Sequence, residues 1–83
     1  MRLGKEFVLN DIKTLKKFVN LASKYENDIT IGSGRYYVNG KSILGLMSLD
    51  LTNPITVYVE SDLTSESCRI IEELFDNTYS EHI

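Results

Sequence analysis

Few groups in this chain could do chemistry, and their placement argues against catalysis. The only histidine, His82, reads as a tail residue, and a single cysteine, Cys68, closes no intramolecular disulfide. One histidine and one cysteine also give no zinc-ligand spacing. Gly32-Ser33-Gly34 lacks the spacing and the following lysine of a phosphate-cradling loop, and no G-x-S-x-G elbow is present. Cys68 falls in the first turn of a predicted helix, where a thiol pKa can drop, but it reads far better as a small residue at a core margin. Glu72 and Glu73 point in different directions on the same helix and read as a solvated face. Neither an enzyme nor a cofactor site is expected. Two groups remain of interest: the hydroxyl of Ser42, at the start of an apolar run, and the carboxylate of Asp11, just before an amphipathic helix.

Those groups must be positioned by a small fold. Eighty-three residues with 42% hydrophobic and 25% charged side chains suit one globular domain spanning 1–83. Nine basic against twelve acidic residues give a net charge of −3, opposite to the balance of a dedicated nucleic-acid module. No direct nucleic-acid contact is expected. The apolar stretches are only a few residues long, too short to span a membrane, and cysteine usage fits a reducing cytoplasm. Charge is uneven: residues 1–24 carry six basic and two acidic groups (6 − 2 = +4), and residues 25–83 carry three and ten (3 − 10 = −7). The lysines of the first segment are either a solvated helix face or a docking face for an acidic partner.

Periodicity gives the element order. Phe7-Val8-Leu9 is β-prone, Asn10-Asp11 supplies N-cap residues, and Ile12, Leu15, Phe18, Val19, Ala22 and Tyr25 recur at helical spacing opposite Lys13, Lys16, Lys17 and Lys24. Asp28-Ile29-Thr30-Ile31 and Tyr36-Tyr37-Val38 flank a glycine turn as a hairpin. Ser42 favours a short helix over the following apolar run, Ile55-Thr56-Val57-Tyr58-Val59-Glu60 alternates as a strand, and Ile70, Ile71, Leu74 and Phe75 stripe a last helix, with Cys68 or Thr78 at its margins. Strands are therefore expected near 5–9, 28–32, 36–39 and 55–60, with helices near 11–26, 42–50 and 63–78. The order β-α-β-β-α-β-α predicts an α+β fold: a mostly antiparallel four-stranded sheet with three helices on one face and Thr30, Thr56 and Tyr58 on the open one.

The block Gly40-Lys41-Ser42-Ile43-Leu44-Gly45-Leu46-Met47-Ser48-Leu49 resembles the Lys-Ser-Ile-Met-Gly-Val-Met-Ser-Leu pattern of the HPr family, the small phosphocarriers of the bacterial sugar phosphotransferase system. Ala22-Ser23-Lys24-Tyr25 with Asp28-Ile29 is similar to a second family block, and Ser23 and Ser42 keep its nineteen-residue separation. The resemblance covers roughly residues 5–79 and implies the HPr-like open-faced β-sandwich. It fails where the family keeps its chemistry. HPr proteins carry a Gly-Ile-His-Ala-Arg-Pro type stretch before the first helix; counting back from Ser23 puts Asp11 at the histidine, Lys13 at the arginine and Thr14 at the proline, in a shorter connection. The chain is thus identified as similar to histidine-less HPr-like members that do not relay phosphoryl groups.

The resemblance implies a cytoplasmic regulator of sugar transport and carbon catabolite repression in a Gram-positive bacterium. Its Ser42 would be a phosphorylation candidate, and its partners proteins such as the HPr kinase or a catabolite-repression regulator. The hydroxyl of Ser42 is equally explained as an N-cap that needs no kinase. Lys41, Ile43, Leu44 and Met47 are the candidate partner contacts, against the alternative that the apolar three pack in the core. A different class of function also remains open: a small-molecule-binding or structural α/β module that shares only the fold.

Overall fold

The alternation of residues 55–60 forms the strand around which the sheet is built. The computed structural model describes residues 2–79, Arg2 by its backbone alone, in the order β1 (Arg2–Phe7), α1 (Ile12–Ala22), β2 (Ile29–Ser33), β3 (Tyr36–Asn39), α2 (Ile43–Met47), β4 (Ile55–Glu60) and α3 (Thr64–Tyr79). The sheet order is β1-β4-β2-β3, and every neighbouring pair is antiparallel. In this register Phe7 lies opposite Ile55, and Ile31 opposite both Val57 and Val38. Phe7, Ile29, Ile31, Ile55, Val57 and Val59 are buried together with Leu15, Phe18 and Ala22 of α1, Leu46 of α2, and Ile70, Ile71 and Leu74 of α3. Side chains alternate across a strand, so Thr30, Tyr37, Thr56 and Tyr58 fall on the opposite, open face. The expected α+β open-faced architecture is the one observed.

On that open face, two glycines let tyrosine rings lie against the backbone. A Cβ on Gly4 would stand 2.8 Å from a ring carbon of Tyr58, and one on Gly32 3.1 Å from ring carbons of both Tyr37 and Tyr58. Strand glycines commonly mark such close approaches. Gly34 meets a different need: it turns the β2–β3 hairpin with φ of 59°.

Element ends depart from expectation for identifiable reasons. β1 covers Arg2–Phe7 rather than 5–9, because all six of its residues pair along β4; Val8 then leaves the sheet exposed while Leu9 turns into the core. α1 stops at Ala22 rather than near residue 26. The Ser23 hydroxyl donates to the Val19 carbonyl, and the Lys24 and Tyr25 amides tighten onto the carbonyls of Leu21 and Ala22. α2 is Ile43–Met47 rather than 42–50, and Ser48 closes it by donating from its hydroxyl to the Gly45 carbonyl at 2.6 Å. In α3, Thr78 is buried and Cys68 half-buried as marginal residues, whereas Ser67 is buried at a position that the apolar stripe did not include.

The chain around Val8 is fixed from α3. Phe7 packs edge-on against Phe18 and Phe75, with ring centroids 5.5 and 5.3 Å apart, and Phe75 against Tyr79 at 4.8 Å. The Lys5 ammonium sits 3.8 Å from the Phe75 ring centroid. The Tyr79 hydroxyl donates to the Val8 carbonyl at 2.8 Å and accepts from the Val8 amide, and partial burial raises its pKa. Tyr79→Phe should therefore lower stability in urea melts by about 1 kcal/mol and speed hydrogen exchange at the Val8 amide. An unchanged Val8 exchange rate would show that α3 does not hold this segment.

Candidate functional site

Ser42 stands where β3 turns into α2. Its extended backbone (φ −107°, ψ 111°) makes it the N-cap, and its Oγ accepts from the Gly45 amide at 3.1 Å. Its own amide donates to the Asn39 carbonyl at 3.0 Å, while the Lys41 amide donates to Asn39 Oδ1 at 2.9 Å. A Cβ on Gly45 would stand 3.3 Å from both Ser42 Oγ and Val38 Cβ, so the glycine lets α2 close down on β3 beneath the serine.

The side chains of α2 divide into anchors and exposed groups. Leu46 is fully buried, and Ile43 is half-buried against the core. Leu44 and Met47 are 79% and 54% exposed. Of the three apolar residues considered as an exposed patch, two project and Ile43 packs inward. Lys41 also turns inward: its Nζ donates to the Tyr25 carbonyl at 2.6 Å, in a partly buried position. Tyr25 in turn donates its hydroxyl to Glu73 Oε2 at 2.8 Å, and Arg69 pairs with Glu73 at 3.0 Å. Burial, then the bond to Glu73, raises the Tyr25 pKa; the same bond, then Arg69, holds the Glu73 carboxyl low. Sequence spacing gave no sign of the Lys41–Tyr25 contact, because the partners come from segments sixteen residues apart.

At the start of α1, Asp11 and Thr14 form one capping unit. Asp11 Oδ1 accepts from the Thr14 amide at 2.8 Å and Oδ2 from the Thr14 hydroxyl at 3.0 Å. These bonds, the amide first, lower the Asp11 pKa. Lys13 is exposed beside them, and His82 lies outside the described residues. An ionised carboxylate therefore occupies the positive end of α1. Among the described residues no helix is long and apolar enough to cross a membrane.

Comparison with known proteins places the fold in a family. The family model for the PTS HPr component phosphorylation site matches residues 12–77, and the chain belongs to the HPr family. Its fold is similar to HPr-C-His from Thermoanaerobacter tengcongensis, with TM-score 0.70 and 26% identity over 100% of this chain and 99% of that one. The phosphocarrier protein HPr of Bacillus anthracis gives TM-score 0.70 and 25% identity over 92% and 95% of the two chains. Crh, a catabolite repression protein of Bacillus subtilis, shares the fold at TM-score 0.65 and 24% identity over 100% and 91%. No curated protein sequence matches the chain.

The capping unit has a pH signature. Because the folded pKa of Asp11 is depressed, its contribution to stability is present above the ordinary carboxylate value of about 3.9 and is lost as pH falls through the lowered folded pKa. Asp11→Asn keeps a good cap but removes the charge, so its melting temperature should vary less than wild type across that acid range. Parallel acid profiles for the two proteins would exclude Asp11 as a contributor.

Proposed function

We propose that this HPr-family chain is a regulator that works by protein contact through α2, with Ser42 as the site of control, and that it does not relay phosphoryl groups. The exposed pair Leu44 and Met47, one turn apart on a helix anchored by buried Leu46 and begun by Ser42, carries this reading. Apolar groups kept in water forgo about 1.5–3 kcal/mol each of burial, and a cluster of them beside a modifiable hydroxyl fits a partner surface. Phosphorylation would add roughly −1.5 to −2 of charge next to that pair without requiring the helix to refold.

The partner most consistent with these groups is a protein with an apolar recess and an acidic rim, because Lys13 and Lys16 are exposed on α1. By family likeness, a dedicated HPr kinase and a catabolite-repression regulator are the candidates, in the cytoplasm of a Gram-positive bacterium. The proposed unit is a single HPr-like domain over residues 1–83, with no direct binding of nucleic acid or membrane in its role. Phosphoryl relay from enzyme I is not part of the role: Asp11 is committed to Thr14, and Lys13 and Thr14 stand where the family has arginine and proline.

Two experiments test this. Incubation with ATP and a Gram-positive HPr kinase should label Ser42 and leave Ser42→Ala unlabelled, while enzyme I with phosphoenolpyruvate should label neither. Hydroxylamine-sensitive label on Asp11 or acid-labile label on His82 would overturn the second expectation. Leu44→Ala and Met47→Ala should each leave stability within about 0.5 kcal/mol of wild type and weaken partner binding at least about tenfold, whereas Leu46→Ala should cost about 2–5 kcal/mol of stability. If Met47→Ala destabilises as much as Leu46→Ala, the contact reading is lost and Ser42 is a cap alone.

A further inference from the structure

Lys41 does work that neither its sequence position nor its neighbour Ser42 explains. α1 has no basic residue in its own last turn, so the carbonyls at that end receive no cation from the helix itself. Beyond the Ser23 cap the chain tightens through Lys24 and Tyr25, and there the Tyr25 carbonyl accepts from Lys41 Nζ at 2.6 Å. The cation that reaches the turn after α1 is thus supplied by the residue immediately before Ser42. The same Tyr25 extends the tie to α3 through its hydroxyl, which donates to Glu73 at 2.8 Å.

We propose that Lys41 is a phosphorylation-sensitive tether: with Ser42 unmodified its ammonium holds the Tyr25 carbonyl, and with Ser42 phosphorylated it moves to the phosphate and releases the turn that follows α1. This rests on the reading of Ser42 as a phosphorylation site. The ammonium meets only a dipole at the Tyr25 carbonyl, whereas a phosphate near neutral pH is largely dianionic and would pair charge with charge. The lysine stem is flexible, and the phosphate would arise on the adjacent residue, so the exchange needs side-chain rotation and no rearrangement of the sheet. The transfer breaks one hydrogen bond and forms another, with no proton leaving the ammonium. Its consequence is a change at Tyr25 and Glu73 in addition to the new charge at the start of α2, so one modification alters two places on the molecule.

The test uses the full chain with phosphoserine installed at position 42 during synthesis, which removes any dependence on a kinase. The amide of Glu26 belongs to the same peptide unit as the Tyr25 carbonyl, and its NMR shift reports the bond to Lys41. Lys41→Met should displace the Glu26 resonance in the unmodified protein. Phosphorylation should move the wild-type resonance in the same direction, but should move it no further in Lys41→Met. The phosphate itself should titrate at lower pH in wild type than in Lys41→Met, by phosphorus NMR. Lys41→Arg keeps the cation and should respond as wild type does, which preserves the test if the methionine variant loses stability. A Glu26 resonance indifferent to phosphorylation in wild type, or equally displaced in Lys41→Met, overturns the tether. Failure of the kinase to label Ser42, with the Glu26 response intact in the synthetic phosphoprotein, would instead remove the regulatory reading and leave the tether standing.

Discussion

The fold hangs on the double pairing of β4. Arg2–Phe7 pairs along one edge and Ile29–Gly32 along the other, so a strand near the C-terminal end of the chain has to be in place before β1 has its neighbour or the β2–β3 hairpin joins the sheet. Since β1 and β2 both run antiparallel to β4, they are parallel to each other with β4 between them, and β3 and β4 are likewise parallel with β2 between. Each pair therefore needs a crossover, and α1 and α2 are those crossovers. The alternation of Ile55, Val57 and Val59 assigns both to one face, because a slip of one residue would present Thr56 and Tyr58 to the helices instead. α3 then completes the same layer, contacting α1, β1 and β4.

This dependence explains what could be read from the sequence and what could not. Strand β4 and the apolar stripes of α1 and α3 are period-2 and period-3.6 signals contained within one segment, and their buried residues were legible directly. The start of β1 was not, since Arg2-Leu3-Gly4-Lys5 has no β pattern of its own and is a strand only because β4 offers six partners. Likewise Tyr25 looked like a further helical turn, and its place in the stripe was right, but the Ser23 hydroxyl and the tightened turn after it end α1 earlier. At the site, the capping roles of Asp11 and Ser42 were legible because each partner lies three residues on. The Lys41–Tyr25, Tyr25–Glu73 and Tyr79–Val8 contacts bridge distant segments and could come only from the folded arrangement.

The same contacts bear on the proposed absence of phosphoryl relay. The connection from β1 to α1 is Val8–Asp11, and each end is occupied: Val8 by the Tyr79 hydroxyl, Asp11 by Thr14, with Leu9 buried between them. A histidine substituted for Asp11 would lose the cap and would still have Lys13 and Thr14 beside it. The proposed loss of relay therefore rests on local construction as well as on a single side chain.

The short helix α2 presents the opposite case, in which exposure is maintained rather than closed off. Five residues cannot form a stable helix in isolation, since nucleation outweighs the few hydrogen bonds gained. Its persistence must come from its attachments: the Ser42 cap, the seat of Leu46 in the core, the packing of Ile43, and Gly45 letting the backbone approach Val38. None of these involves Leu44 or Met47. Small polar residues at those two positions would satisfy the fold at least as well, and would avoid leaving apolar surface in water. The pair is thus unexplained by stability, and the rigid mounting of the helix that carries it suits the proposed partner contact: side chains held in a fixed arrangement before a partner arrives lose less freedom on binding.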